Sequence, residues 1–127
     1  MMQSRLFRLN IEVGDIGRAS EFYATLLGVD PRMDRGSRCY VDAGEVILQV
    51  VEVPDPHPAA KALYFATDDL DAVHRTAADL GCLSDDPVHG GRGGDIAVRP
   101  WGERSFYCDD PWGNPLCFVA EGTLYTG

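Results

Sequence analysis

Three polar residues in the last third of the chain have the chemistry of a binding or catalytic site: Trp101, Glu103 and Arg104. A tryptophan beside an acid and a base is a typical lining of a small-molecule pocket. Glu103 is the one candidate for catalysis, because a sufficiently buried glutamate can act as a general base. The simpler alternative is an exposed ion pair at a sheet edge. Strand alternation puts Glu103 and Arg104 on opposite faces, and the sequence does not say which face is functional.

Cys117 is the second reactive candidate, on a strand that follows the turn DPWGNP at residues 110–115. A cysteine nucleophile needs an adjacent base or positive charge. The sequence places no histidine near Cys117, although Arg8 could supply the charge. We favour the alternative in which Cys117 is a small buried residue. The cysteines form no C-x-x-C pair, which indicates reduced thiols in a cytoplasmic protein.

The chain has 127 residues and a net charge of −9, and this length is typical of a single domain. Both halves of the chain are acidic, so a phosphate backbone would be repelled and no nucleic-acid binding is expected. No basic stripe suits a membrane surface. The first ten residues lack the apolar core of a signal peptide, and no run approaches the ~18 apolar residues of a membrane span. We predict a cytoplasmic location and no membrane partner.

The first half of the chain predicts a strand, a helix and three further strands. Residues 6–13 alternate apolar and polar side chains, as in a half-buried strand. Apolar residues at helical spacing predict a helix over 16–27, with Asp15 as its N-cap and Gly28 as its stop. Three more strands are expected at 29–33, 39–42 and 46–53. The prolines of residues 54–58 then predict a stiff connector.

The same order begins again after the connector. Residues 62–67 predict a strand, and Asp68 or Asp69 caps a helix that buries Leu70, Val73, Ala77 and Leu80. Strands are then expected at 82–88 and 96–99, followed by the hairpin of residues 106–119. The glycine-rich residues 89–95 lack the lysine and the strand–loop–helix context of a phosphate-binding loop. They are expected to form a flexible connection, with a lid over a cleft as the alternative.

This internal duplication predicts an α+β fold. We expect two tandem βαβββ modules that form a curved mixed sheet around a cleft, with the helices on the outer side. The expected boundaries are a module over 1–54, a linker over 55–60, a module over 61–121 and a C-terminal tail over 122–127. Together they would form one domain.

Several of these motifs resemble the vicinal oxygen chelate superfamily, which includes lactoylglutathione lyases, bleomycin and fosfomycin resistance proteins, and extradiol dioxygenases. In the first half the matching stretches are VGDI leading into EFY and LG. In the second half they are TDDLD, then FY followed by DPWGNP. The aromatic strand with its DP-x-GN-P turn is the most specific part. The resemblance covers nearly the whole chain and implies the two-module fold, a ligand-holding cleft and dimers.

The resemblance also implies where a metal ion would be bound. The metal enzymes of this superfamily use up to four inward-facing His, Gln or Glu side chains, and the matching positions are Arg8, Gln49, Ala62 and Cys117. An arginine does not ligate a cation and an alanine has no donor atom. We therefore predict no metal site and no cofactor.

We predict a metal-independent small-molecule-binding protein of the glyoxalase/bleomycin-resistance type, a homodimer and a candidate for sequestering an antibiotic or metabolite. The first alternative is a lyase, isomerase or dioxygenase-like enzyme with Glu103 as base or with a non-standard metal site. The second is a structural or regulatory dimer without a ligand. Arg8 is expected to prefer an anionic group, unless a salt bridge satisfies it. The expected ligand-binding residues are Arg8, Gln49, Tyr64, Trp101, Glu103, Arg104 and Cys117.

Overall fold

The computed structural model describes residues 2–127 of the chain. It contains two compact units, the first ending at Pro58 and the second beginning at Ala59. Each unit carries one α-helix and one four-stranded mixed sheet. The α+β class and the two tandem modules are therefore confirmed, whereas the curvature of the sheet, the cleft and the module boundaries stay predictions. No helix in the described part of the chain is long and apolar enough to cross a membrane.

The first unit has the predicted order of one strand, one helix and three strands. Its elements are β1 (Arg8–Val13), α1 (Ile16–Leu27), β2 (Arg32–Asp34), β3 (Arg38–Ala43) and β4 (Val46–Glu52). The sheet order is β1-β4-β3-β2, with β1 parallel to β4 and the other neighbours antiparallel. The Asp15 side chain caps α1 by accepting the Arg18 N–H at 2.9 Å. Gly28 ends α1 with a φ of 67°, a conformation that costs glycine little.

Strand alternation divides the first sheet into two faces. Ile11 and Val13 of β1 are buried, Glu12 between them is half-buried, and Arg8 and Asn10 before them are exposed. The buried side chains of β3 and β4 follow the same alternation, so one face forms a core against α1. We call the opposite face the far face of the first sheet. The core residues of this unit are Ile11, Val13, Ile16, Ala19, Phe22, Tyr23, Leu26, Cys39, Val41, Leu48 and Val50.

The second unit repeats this topology and adds a small hairpin. Its elements are β5 (Leu63–Thr67), α2 (Leu70–Asp79), β6 (Pro87–Val88), β7 (Gly91–Arg92), β8 (Ala97–Val98), β9 (Arg104–Asp109) and β10 (Pro115–Ala120). The sheet order is β5-β10-β9-β8, with β5 parallel to β10. First strand and last strand are therefore parallel neighbours in both units, as an internal duplication requires. Leu80 was predicted to be buried but is 37% exposed, because α2 ends at Asp79.

The glycine-rich residues 89–95 supply the turn and the second strand of a small hairpin, and their flexibility stays a prediction. Strands β6 and β7 pair with each other outside the four-stranded sheet. His89 and Gly90 between them have φ values of 46° and 84°, the signs required by a tight type I′ turn. A Cβ atom on Gly94 would lie 2.7 Å from the carbonyl oxygen of Ser84. Only glycine therefore fits where this hairpin packs against the chain before it.

The turn between β9 and β10 is held by the carboxylate of Asp110. One oxygen accepts the backbone N–H groups of Trp112 at 3.0 Å and Asn114 at 2.9 Å, and the other accepts the Asn114 side-chain amide at 2.8 Å. The side-chain oxygen Oδ1 of Asn114 in turn accepts the Ala59 N–H at 2.8 Å. Asp110 and Asn114 are both buried. The DPWGN sequence is therefore a structural motif, because its polar groups are used to close the turn.

Candidate functional site

Aromatic packing on α2 determines which side chains of the second sheet point away from the helix. Phe106 stacks on Phe118 with ring centroids 5.5 Å apart, and Phe118 stacks on Phe65 at 5.2 Å. His74 of α2 meets the Phe106 ring edge-on at 4.9 Å. Side chains alternate along each strand, so the intervening residues form the far face of the second sheet. In the paired registers these residues are Tyr64, Ala66, Ala97, Ser105, Tyr107, Cys117 and Val119.

The same alternation decides between Glu103 and Arg104. Arg104 lies on the helix-covered side with Phe106, where its guanidinium pairs with Asp71 in the first turn of α2 at 3.1 Å. Glu103 lies with Ser105 on the far face, and it is only 7% exposed. The structure therefore brings Glu103 together with Tyr64 and Trp101 and places Arg104 apart from them.

Two N–H donors hold the carboxylate of Glu103. The Trp101 indole donates to one oxygen at 2.7 Å, and the backbone N–H of Tyr125 donates to the other at 2.9 Å. The Thr123 hydroxyl fixes the tail further by accepting the Arg104 N–H at 3.1 Å and donating to the Ala120 carbonyl at 2.9 Å. The C-terminal tail is thus attached to the far face of the second sheet through Glu103.

A cavity of about 440 Å³ lies between this face and the tail. Its volume is within the range of natural small-molecule sites. Aromatic rings and one carboxylate supply most of its chemistry, a mixture suited to an organic ligand with an apolar body and a polar group. The lining residues are Tyr64, Phe65, Ala66, Trp101, Glu103, Val119, Leu124, Tyr125 and Thr126.

Cys117 is fully buried beneath this face. Burial raises the pKa of its thiol to about 11, although hydrogen bonds with Tyr107 and Ser105 and the charge of Arg99 act in the opposite direction. A thiol with this pKa is protonated at neutral pH, and a protonated thiol is a poor nucleophile. Burial also raises the pKa of the Tyr107 phenol, whose oxygen lies 3.2 Å from that of Tyr64. Cys117 and Tyr107 therefore act as neutral hydrogen-bonding groups.

Arg8 and Gln49 lie on the far face of the first sheet. Gln49 is half-buried and sits in one cross-strand row with Asn10 and Tyr40. Arg8 is exposed, and its guanidinium lies 5.1 Å from the centre of the Phe7 ring. The ion pairs of the described residues do not include Arg8. The salt-bridge alternative for Arg8 is thus not realised, and its role as an anion clamp stays a prediction.

The four positions implied for a metal ion do not offer a suitable donor set. Arg8 carries a guanidinium, Ala62 has no donor atom, and Cys117 holds its proton at neutral pH. A metal-binding thiol must lose that proton. Within residues 2–127, no three His, Cys, Asp or Glu side chains are grouped so that they could hold an ion. The residues present therefore do not fit the metal site that the resemblance implies.

Sequence reasoning missed Arg99 and the carboxylate-binding role of Tyr125. Arg99 is 4% exposed on the far face of the second sheet, and its guanidinium lies 5.3 Å from the centre of the Tyr107 ring. Alternation of side chains along the predicted strand 96–99 could have placed Arg99 on the same face as Ala97, which pairs with Ser105 in the structure. No local signal marks Tyr125, because its backbone N–H reaches a residue that is distant in the sequence.

Comparison with known proteins gives a consistent assignment. The model of the glyoxalase-like domain family matches residues 8–119. A search of curated proteins found no significant match. Among solved structures, a glyoxalase-related enzyme from Fulvimarina pelagi superposes with a TM-score of 0.77 at 14% identity, covering 98% of this chain and 94% of the other.

Two further structures have sequence identities near one fifth to one quarter. A lactoylglutathione lyase from Agrobacterium tumefaciens gives a TM-score of 0.69 at 20% identity and covers 98% of each chain. A glyoxalase/bleomycin resistance protein from Catenulispora acidiphila gives 0.67 at 25% identity, covering 92% of this chain and 98% of the other. These similarities confirm the fold that the motifs predicted. The family model matches most of the length of this chain, so the chain belongs to the family of glyoxalase-like domains.

Proposed function

We propose that this protein binds an organic small molecule without the help of a metal ion, in the cavity of the second unit. The carrying observation is the cavity itself, about 440 Å³ in volume and lined by Tyr64, Trp101 and Glu103. Aromatic rings provide contact area for an apolar ligand body. The buried Glu103 carboxylate provides an acceptor for a ligand N–H or O–H group.

The donor chemistry supports binding without a metal. Neither Arg8 nor Ala62 offers an electron pair to a cation, and the Cys117 thiol keeps its proton at neutral pH. The similarity to a glyoxalase/bleomycin resistance protein suggests antibiotic sequestration as one form of this function. The similarity to a lactoylglutathione lyase suggests the enzymatic alternative, in which Glu103 is a general base.

Calorimetric titration of the purified protein with metal-free bleomycin, together with elemental analysis, tests the proposal. We expect saturable binding with no stoichiometric nickel, zinc, iron or manganese. Trp101→Leu should weaken binding by about tenfold, since loss of an aromatic contact costs on the order of 1 kcal/mol. The matched control is Tyr40→Leu, which removes an aromatic ring from the first sheet.

A panel of uncharged aromatic metabolites extends the test beyond one antibiotic. Stoichiometric metal in the purified protein, or binding that Trp101→Leu leaves unchanged for every ligand found, would refute the proposal. Lactoylglutathione lyase activity that Glu103→Gln abolishes would establish the enzymatic alternative instead. Sedimentation equilibrium, with and without ligand, tests the proposed homodimer.

A further inference from the structure

Arg99 is a buried guanidinium bonded only to neutral groups. It follows β8, and its backbone N–H donates to the Glu103 carbonyl at 2.7 Å. Its Nε donates to the Ser105 hydroxyl at 2.9 Å, and its Nη2 donates to the carbonyl oxygens of Ser105 at 3.0 Å and Asp95 at 3.4 Å. The side chain is therefore held in one orientation, while its positive charge is not neutralised by these partners.

The other arginines of the second unit show how unusual this is. Arg92 pairs with Asp85 at 2.9 Å and with Asp95 at 3.0 Å, and Arg104 pairs with Asp71. Within residues 2–127, Arg99 forms no ion pair with a carboxylate. Glu103 is near in the sequence, but its carboxylate is hydrogen-bonded to Trp101 and Tyr125 and is not in an ion pair with Arg99 among the described residues. A buried charge of this kind is costly unless a counter-ion accompanies it.

One nitrogen of Arg99 remains free to provide that contact. Among residues 2–127, the side-chain hydrogen bonds of Arg99 use Nε and Nη2 and do not use Nη1. No buried side-chain nitrogen or oxygen in the described chain lacks a hydrogen-bond partner. Nη1 is therefore at least partly accessible to solvent.

A second cavity, of about 420 Å³, has Arg99 among its lining residues. It shares no lining residue with the cavity of the proposed function. Its charged lining residues are Arg92, Asp95 and Arg99. Arg92 forms ion pairs with both Asp85 and Asp95, whereas Arg99 has no carboxylate at ion-pair distance among residues 2–127. His89 also lines the cavity, with its ring 5.1 Å from that of Trp101.

We infer that this second cavity binds an oxyanion, either a carboxylate or a phosphate group, through Nη1 of Arg99. A guanidinium whose orientation is already fixed loses little further entropy when it binds, and a charge-assisted hydrogen bond to an oxyanion is stronger than a neutral one. The site is independent of the proposed function, because it uses different residues and a different cavity.

Nuclear magnetic resonance titrations with acetate, acetamide and inorganic phosphate test the inference. Acetamide has the shape of acetate but no charge. Saturable shifts of the Arg99 Nε–H signal with acetate or phosphate, and none with acetamide, are expected. Saturation by acetate alone assigns the site to carboxylates, saturation by phosphate alone assigns it to phosphate groups, and saturation by both assigns it to oxyanions in general.

Arg99→Lys keeps the charge and removes the fixed guanidinium. We expect the dissociation constant for the bound anion to rise about tenfold or more, since a hydrogen bond to a charged group contributes on the order of 1.5–3 kcal/mol. The control is Arg104→Lys, on the opposite side of the same sheet, which should change the constant less than about twofold. Equal shifts with acetamide, shifts that do not saturate, or an unchanged constant in Arg99→Lys would each overturn the inference. The comparison of acetate with acetamide needs no variant, so it holds even if Arg99→Lys fails to fold.

Discussion

The far faces of the two sheets have the same strand topology but different burial. In the first sheet, Arg8 and Asn10 are exposed and Gln49 is half-buried. In the second sheet, Ser105 and Cys117 are at most 1% exposed, and the charged residues Arg99 and Glu103 beside them are also buried. The duplicated framework alone therefore does not determine where polar chemistry is removed from water.

The segments that bury these residues differ between the two units. Arg99, Trp101 and Glu103 belong to the stretch that connects β8 to β9, and Tyr125 belongs to the tail after β10. These segments supply the donors, the acceptors and part of the apolar cover of the far face. The comparison indicates that the shared framework positions the strands, while the β8–β9 connection and the tail supply most of the polar groups of the candidate sites.

The largest expected effect contrasts the hairpin turns of the two units. Asp110→Ala leaves three N–H donors without their acceptor, so we expect the free energy of unfolding to fall by about 3 kcal/mol or more. Asp42→Ala removes an equal charge beside the β3–β4 turn, but Asp42 is exposed and paired only with Arg32. Its loss should destabilise the protein much less than the loss of Asp110 does, because solvent screens an exposed ion pair. Urea denaturation measures the unfolding free energy of both variants. Equal decreases would contradict the stronger stabilising role assigned to Asp110.

The second effect concerns the pH dependence that Cys117 produces. Burial raises the pKa of this thiol to about 11, whereas a thiol in an unfolded chain titrates near ~8.5. Between these values the folded state keeps a proton that the unfolded state releases, so stability falls as the pH rises. The unfolding free energy of the parental protein falls as the pH rises from about 8.5 to about 11, and Cys117→Ala should make this fall smaller by about 2–3 kcal/mol.

A matched variant in the first unit tests whether this effect belongs to the second sheet. Burial also raises the pKa of Cys39, on the helix-covered face of the first sheet. Cys39→Ala should therefore change the pH dependence in the same direction and by less. Urea denaturation at several pH values from neutral to about 11 gives the slopes. A Cys117→Ala protein with the parental slope would mean that Cys117 titrates normally.

The third effect contrasts two glutamates on the far faces. Glu103→Gln replaces one acceptor oxygen with an NH₂ group that meets an N–H donor, so we expect a loss of about 1–2 kcal/mol in unfolding free energy. Glu12 is more exposed and accepts the His57 N–H near the surface. Glu12→Gln should cost less than about 0.5 kcal/mol. A smaller loss at Glu103 than at Glu12 would contradict the assigned bonding.

Arg8→Ala should have the smallest effect on stability. Its side chain is exposed and contacts only the Phe7 ring among the interactions described above. We expect a change below about 0.5 kcal/mol in unfolding free energy. A loss above about 1 kcal/mol would indicate that Arg8 has a structural partner, and would remove the case for it as a free anion clamp.

Local chemistry made part of this structure predictable. Asp15 and Gly28 mark the ends of α1 through interactions within a few residues, and alternation in β1 correctly separated Ile11 from Arg8. The DPWGNP turn could be predicted because Asp110 bonds to Trp112 and Asn114 within the same short stretch. Such features need no knowledge of distant contacts.

The candidate sites depend on distant contacts, which explains what could not be predicted. The face occupied by Glu103 follows from the stacking of Phe106 on Phe118 and from the ion pair of Arg104 with Asp71. The short strand β8 has too few residues to show a clear period. The absence of an ion pair at Arg99 could not be predicted, because it depends on which acidic side chains lie near it in three dimensions.

The bond from the Trp101 indole to Glu103 has a practical consequence. An indole changes its emission when its N–H loses a hydrogen-bonded carboxylate, so the chain contains an optical reporter of the tail and of the aromatic cavity. The other tryptophan, Trp112, lies in the β9–β10 turn, where its backbone N–H makes the recorded bond to Asp110. Trp112→Phe would leave Trp101 as the single indole chromophore, so movement of the tail could be followed in solution without an added dye.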